Sequence, residues 1–125
     1  MAKIRTVSQV EPGKLIHKIE VYRTTKKPGT QGQRSKDADQ KVMEFWAYIE
    51  TLGGSVLEVF TKRFNQCSHR IHANWTPEFD QLHPKDRFVF GTKTFDIVHI
   101  DNLDFLNIKM EIIVSEIVKR VNASS

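Results

Sequence analysis

The sequence has one cysteine, Cys67, and only four prolines and six glycines in 125 residues. A lone cysteine excludes an intrachain disulfide framework and fits folding in a reducing compartment. No apolar run approaches the roughly 20 residues that carry a helix across a bilayer, and the N-terminus lacks the apolar core of a signal peptide. Neither a membrane protein nor a secreted scaffold is expected.

Chemistry-bearing patterns are also scarce. Gly53-Gly54 is not followed by the Lys-Ser/Thr of a phosphate-binding loop. Carboxylates are scattered through loops and outward strand positions, which gives no acid/base pair. Cys67, His69 and His72 bring three candidate ligands into six residues. On a strand, however, Cys67 and His69 share one face and His72 points to the other. No Cys-x-x-Cys or His-x-x-x-His pair completes a tetrahedral set. The expectation is a non-enzyme with no catalytic residues, no metal ligands and no cofactor.

Hydrophobic residues make up 39% of the chain and charged residues 27%. One domain of this length buries about two-thirds of its unfolded surface and stands without covalent staples. The net charge of +4 is unevenly placed. From Arg23 to Gln40, five basic residues (Arg23, Lys26, Lys27, Arg34 and Lys36) face two acids, Asp37 and Asp39. The first fourteen residues carry Lys3, Arg5 and Lys14 against Glu11, so the rest of the chain is close to neutral. A duplex binder normally carries its positive charge on ordered elements, whereas here the excess lies on a leader and a loop.

Period-two alternation dominates. After a leader (1–14) closed by Glu11-Pro12-Gly13, Leu15–Arg23 alternates with His17, Ile19 and Val21 on one face. Thr24–Gln40 holds Pro28-Gly29 and Gly32 and almost nothing apolar, and reads as a long exposed basic loop. Val42–Glu50 places Met43, Phe45, Ala47 and Ile49 opposite Glu44, Trp46, Tyr48 and Glu50, which makes Phe45 a core residue and Trp46 an interface candidate. In Ser55–Gln66 the period changes: Val56, Phe60 and Phe64 lie four apart with Leu57 beside them, the stripe of a short amphipathic helix, and Ser55 with Glu58 suggests a capping box. Further strands are expected at Ser68–Trp75, Arg87–Phe90, Thr94–Ile100 and Leu106–Val118, the fourth and fifth of the six forming a hairpin about Gly91-Thr92-Lys93, and 119–125 is a polar tail. Six strands without strand–helix alternation predict an all-β fold, a small antiparallel six-stranded barrel over 15–118 with one short helix and a long basic loop at 23–40.

Several residues in this order resemble those of the head–tail joining family of tailed bacteriophages, the head-closure or stopper proteins. They are Trp46-Ala47-x-Ile49-x-x-Leu52-x-Gly54, Ser68-His69-Arg70-Ile71, Asp86-Arg87-x-Val89, Gly91-x-x-x-Phe95-Asp96-Ile97 and Glu116-Ile117. The set spans most of the chain; it departs from the family at Asn74-Trp75, where Arg-Tyr is common.

The resemblance implies a virion protein made in the bacterial cytoplasm that assembles as a ring, in all expectation a dodecamer. That ring would sit below the portal and its adaptor, above a tail-completion or tail-terminator protein, with packaged double-stranded DNA held non-specifically in its channel. It further implies that the segment between the second and third strands (51–68) reaches the channel, which makes Thr51, Gly53, Gly54, Lys62, Arg63, Asn65 and Gln66 gating candidates. The basic-loop contacts would be Arg23, Lys26, Lys27, Arg34 and Lys36. Two alternatives stay open from sequence: a small barrel that binds nucleic acid through its basic loop, with Arg87-Phe88-Val89-Phe90 as a stacking stretch, and a tail-completion protein.

Overall fold

The computed structural model describes residues 7–26 and 37–118. Six strands form a closed antiparallel barrel: β1 (His17–Lys26), β2 (Asp37–Thr51), β3 (His69–Asn74), β4 (Arg87–Phe90), β5 (Lys93–Asn102) and β6 (Lys109–Glu116), in the order β1-β2-β3-β6-β5-β4. One helix, α1 (Gly54–Phe64), joins β2 to β3, and short 3-10 turns occupy Pro12–Lys14, Pro77–Gln81 and Leu103–Phe105. The fold is the small all-β barrel that the alternation predicts.

Alternation sets the interior. Ile19 pairs with Phe45 and Val21 with Met43 across β1 and β2; Ile71 pairs with Ile112 across β3 and β6; Phe88 pairs with Phe95 across β4 and β5. These side chains share one face, so closure brings them into a single core with Ala47, Ala73, Met110 and Val114. Phe79, delivered by the Pro77–Gln81 turn, plugs the core from one end, with its ring 4.9 Å from that of Phe45. Edge-to-face contacts at such separations add to the apolar burial. Closure pairs every strand of the barrel on both sides, while the β1–β2 ribbon beyond Tyr22 is two-stranded and, among the described residues, keeps its outer edges unpaired. Gly91, at φ +59, supplies the left-handed turn that returns β4 into β5.

The structure moves several boundaries. The stretch read as a loop from Thr24 continues as β1 through Lys26, and β2 begins at Asp37, with Thr24 opposite Asp39 and Lys26 opposite Asp37. A two-stranded ladder is a main-chain device, so it needs none of the apolar residues on which sequence reading depends. Lys27, Arg34 and Lys36 lie outside the described residues. The last strand is shorter than Leu106–Val118: it starts at Lys109, after a tight turn over Leu103–Asn107. Within it Ile112, Ile113 and Val114 are all buried in succession, because Ile113 on the outer face lies beside Phe60 and Phe64 of α1. The Ser55–Glu58 capping box does not form: the helix starts one residue earlier, at Gly54, with Gly53 as its N-cap and no side-chain cap bond.

Candidate assembly and channel surfaces

The segment between β2 and β3 is laid along the outer wall of the barrel. Leu52 is buried at its start, and its backbone N–H donates to the Ser68 carbonyl at 3.0 Å, which closes the neck of the segment. Helix α1 itself buries no residue. Its attachment is aromatic. The Phe60 and Phe64 rings stack at 6.0 Å, Phe64 stacks on His99 of β5 at 5.1 Å, and the Arg70 guanidinium of β3 lies 5.2 Å from the Phe60 centroid. Val56 and Val59 remain exposed, at 44% and 65%.

The gating candidates separate into two groups along this helix. Thr51, Gly53 and Gly54 lie at its entry, where Gly54 has φ +56. Lys62 and Arg63 occupy the last turn, Asn65 ends the helix in a left-handed conformation with its N–H donated to the Thr61 carbonyl, and the Gln66 N–H donates to the Phe64 carbonyl. Lys62, Arg63, Asn65 and Gln66 are exposed and contiguous, and the two cations also suit the negative end of the helix dipole. Arg63 holds its guanidinium 5.0 Å from the Phe64 ring centroid. This terminus is a compact positive group.

Trp46 lies elsewhere, on the outer face of β2 opposite Lys18, at 55% exposure, while its neighbour Phe45 points into the core. Arg23, expected in the basic loop, is a strand residue already committed to a carboxylate. Its Nε and Nη2 donate to the two Asp86 oxygens at 2.8 and 2.9 Å, and Nη2 also donates to the Gln81 carbonyl. Asp86 is 1% exposed and accepts a further bond from the His83 N–H. Burial alone would push the Asp86 carboxyl up, but the hydrogen bonds from Arg23, with the His83 N–H and the charge beside it, hold it below the ordinary carboxylate range. Arg23 thus ties the base of the β1–β2 ribbon to the turn before β4. Lys26 is the last residue of β1.

Two features escape sequence reading. On the outer wall of β2, β3 and β6, Arg70 Nε donates to Glu50 at 2.7 Å, His72 Nε2 lies 2.9 Å from the same carboxylate, and Lys109 lies 3.9 Å from Glu111. The Arg70 hydrogen bond is the main reason the Glu50 carboxyl sits below its usual range. The partners come from three strands, so no local motif announces them. The N-terminal segment packs at the end of this wall: the Val10 N–H donates to Asn74 Oδ1 at 2.6 Å and Asn74 Nδ2 returns a bond to the Val10 carbonyl. The second feature is Phe105, which is 93% exposed in the turn before β6. Its only sequence signal is an aromatic residue set next to the turn Asp101-Asn102-Leu103-Asp104.

The fold is shared with a solved protein. The solution structure of protein SF1141 from Shigella flexneri 2a superposes with a TM-score of 0.66 over 89% of this chain and 100% of that one, at 14% identity, a likeness of fold. No curated protein sequence matches. The sequence profile described as phage head completion protein matches residues 10–117. That span runs from Val10, docked on Asn74, through all six strands to Ile117. The chain belongs to the phage head completion protein family, and its place is among the virion proteins of the phage head–tail connector.

Proposed function

We propose that this protein is a head-closure subunit: copies form a ring below the portal and adaptor, continue the DNA channel, retain the packaged genome and offer the tail its docking surface. Membership of the head completion family carries the reading. The build of the barrel agrees with it. Within the closed barrel no strand edge is free to add another strand, so association over that wall uses side chains and appended segments. The outer surface supplies both, in Trp46 on β2 and in α1 with its exposed Val59.

In this reading α1 and its flanks are the gate. The helix takes no part in the buried core, so it can shift on the barrel without unfolding it. Lys62 and Arg63, repeated around a ring, would surround DNA with positive charge that its phosphates attract whatever the base sequence. The half-buried Phe60–Phe64 pair would hold the base of the segment while the polar end faces the channel.

Replacing Gly53–Gln66 by a minimal turn tests the proposal. The expected result is a barrel that still folds, and heads that package DNA and then lose it. Heads that carry this deletion, stay filled and accept tails would overturn the assignment of the gate.

A further inference from the structure

Of the large hydrophobic residues described, Phe105 is the most exposed, at 93%, and its neighbour Leu106 is 47% exposed. The turn that carries them is clasped. Asn102 Nδ2 donates to Asn107 Oδ1 at 2.6 Å, the Asn107 N–H donates to Asn102 Oδ1 at 3.1 Å, and the Leu106 N–H donates to the Leu103 carbonyl at 3.2 Å. Leu103, 5% exposed, roots the turn in the barrel. Asp104, Phe105 and Asn107 have φ of 54°, 55° and 57°. Asp and Asn accept this left-handed region readily, whereas a bulky aromatic residue rarely does. The fold gains no burial from Phe105 in return. A clasped turn that strains its backbone to hold a bare aromatic ring in solvent has the form of an anchor for a pocket elsewhere.

A pocket of that kind lies on another face of the same barrel. Tyr22, Val89 and Ile117 line a groove of about 470 Å³ on the outer side of β1, β4 and β5, and Arg87 and Asp39 also line it. The size is that of cavities that accept an apolar group. Knob and groove share no residue, so one copy can present both at once. One charge pair is available between them: Asp104 adjoins the knob, the groove carries Arg87 beside Asp39, and the ion pairs among the described residues include neither Asp104 nor Arg87. Two different patches of one chain that bind each other make a head-to-tail contact, the type that closes into rings.

We infer that the Phe105–Leu106 knob of one copy seats in the Tyr22–Val89–Ile117 groove of the next, with Asp104 meeting Arg87. The inference rests on the ring reading above and names the surface that joins neighbouring subunits.

Sedimentation of the full chain over a range of concentrations tests it, with thermal melting as the folding control. Phe105→Ser is expected to leave the melt unchanged and weaken self-association about thirty- to hundredfold, as loss of an anchor does. Arg87→Asp, at an exposed position, is expected to weaken it less, and adding Asp104→Arg to that variant should restore it. Val89→Glu blocks the groove, and where its melt is intact it should behave like Phe105→Ser. A mixture of Phe105→Ser and Val89→Glu chains keeps one good knob and one good groove, so it should give 1:1 pairs that grow no further. Wild-type rings unaffected by Phe105→Ser would overturn this interface and leave the ring reading standing. So would a Phe105→Ser chain that self-associates normally but no longer joins the neighbouring connector protein, which would assign the knob to that partner. A wild-type chain that stays monomeric at millimolar concentration would overturn both.

Discussion

Phe45 and Trp46 are adjacent in β2 and lead opposite lives. Phe45 is 9% exposed, with its ring against Phe79 and Phe88, while Trp46 is 55% exposed beside Lys18. The same contrast holds between whole regions: the strands contribute nearly all of the core, and the eleven-residue helix α1 buries none of its residues. Apolar character alone therefore does not mark the core of this protein. The inward set supports the fold, whereas the outward set (Trp46, Val59 and Phe105) stays exposed among the described residues and, in the proposed ring, is the material of assembly.

The sharpest way to break that comparison is to truncate an inward ring. Phe45→Ala should cost about 3–5 kcal/mol of stability, read by chemical denaturation of the isolated subunit. A cost under about 1 kcal/mol would mean that the interior is not packed as described.

Next in size is the Arg23–Asp86 pair. Arg23→Met leaves a buried carboxylate with one hydrogen bond in place of three, and should cost about 1–3 kcal/mol near neutral pH. The Asp86 carboxyl is held below its unfolded value, so its contribution is fully present above about pH 4 and is lost as pH falls through the native value. Wild-type stability should then decline more steeply in acid than that of Asp86→Asn, and parallel acid limbs would refute the coupling.

Smaller still is the effect expected at the helix attachment. Phe64→Ala removes a half-buried ring that touches His99 and Phe60, and should cost about 1–2 kcal/mol. Hydrogen exchange should speed up in 54–64 while β3 and β6 keep their protection. Uniform loss of protection would show that α1 belongs to the core unit after all.

The smallest change in monomer stability is expected at the outward aromatics. Trp46→Ala should shift stability by less than about 1 kcal/mol and act on association instead. A loss equal to that of Phe45→Ala would erase the distinction between the two faces of β2.

Much of this was legible from residue order. Alternation identified six strands and the inward set, including Ile19, Val21, Phe45, Ala47, Ile71 and Val114, because a strand has only two faces and water discriminates between them. The four-residue spacing of Val56, Phe60 and Phe64 located the helix, though not its cap, since Gly53 and Ser55 compete for that role and only backbone geometry decides. The polar ribbon at 24–26 and 37–40 reads as loop in the sequence because a main-chain ladder leaves no apolar trace there. Of the site residues, Arg23 shows the limit most clearly: a cation in a basic stretch looks available until a carboxylate 63 positions away is found on it.

The sequence by itself thus determined which residues leave water, how the strands face and where the chain turns, because these depend on local periodicity and the cost of exposing apolar surface. The tertiary structure decided the strand order β1-β2-β3-β6-β5-β4, the neutralisation of Arg23 by Asp86, the docking of α1 over Ile113 and the bare presentation of Phe105. Each of these joins residues far apart in the chain or depends on what fails to pack. Such contacts form only when closure of the barrel fixes which surfaces meet.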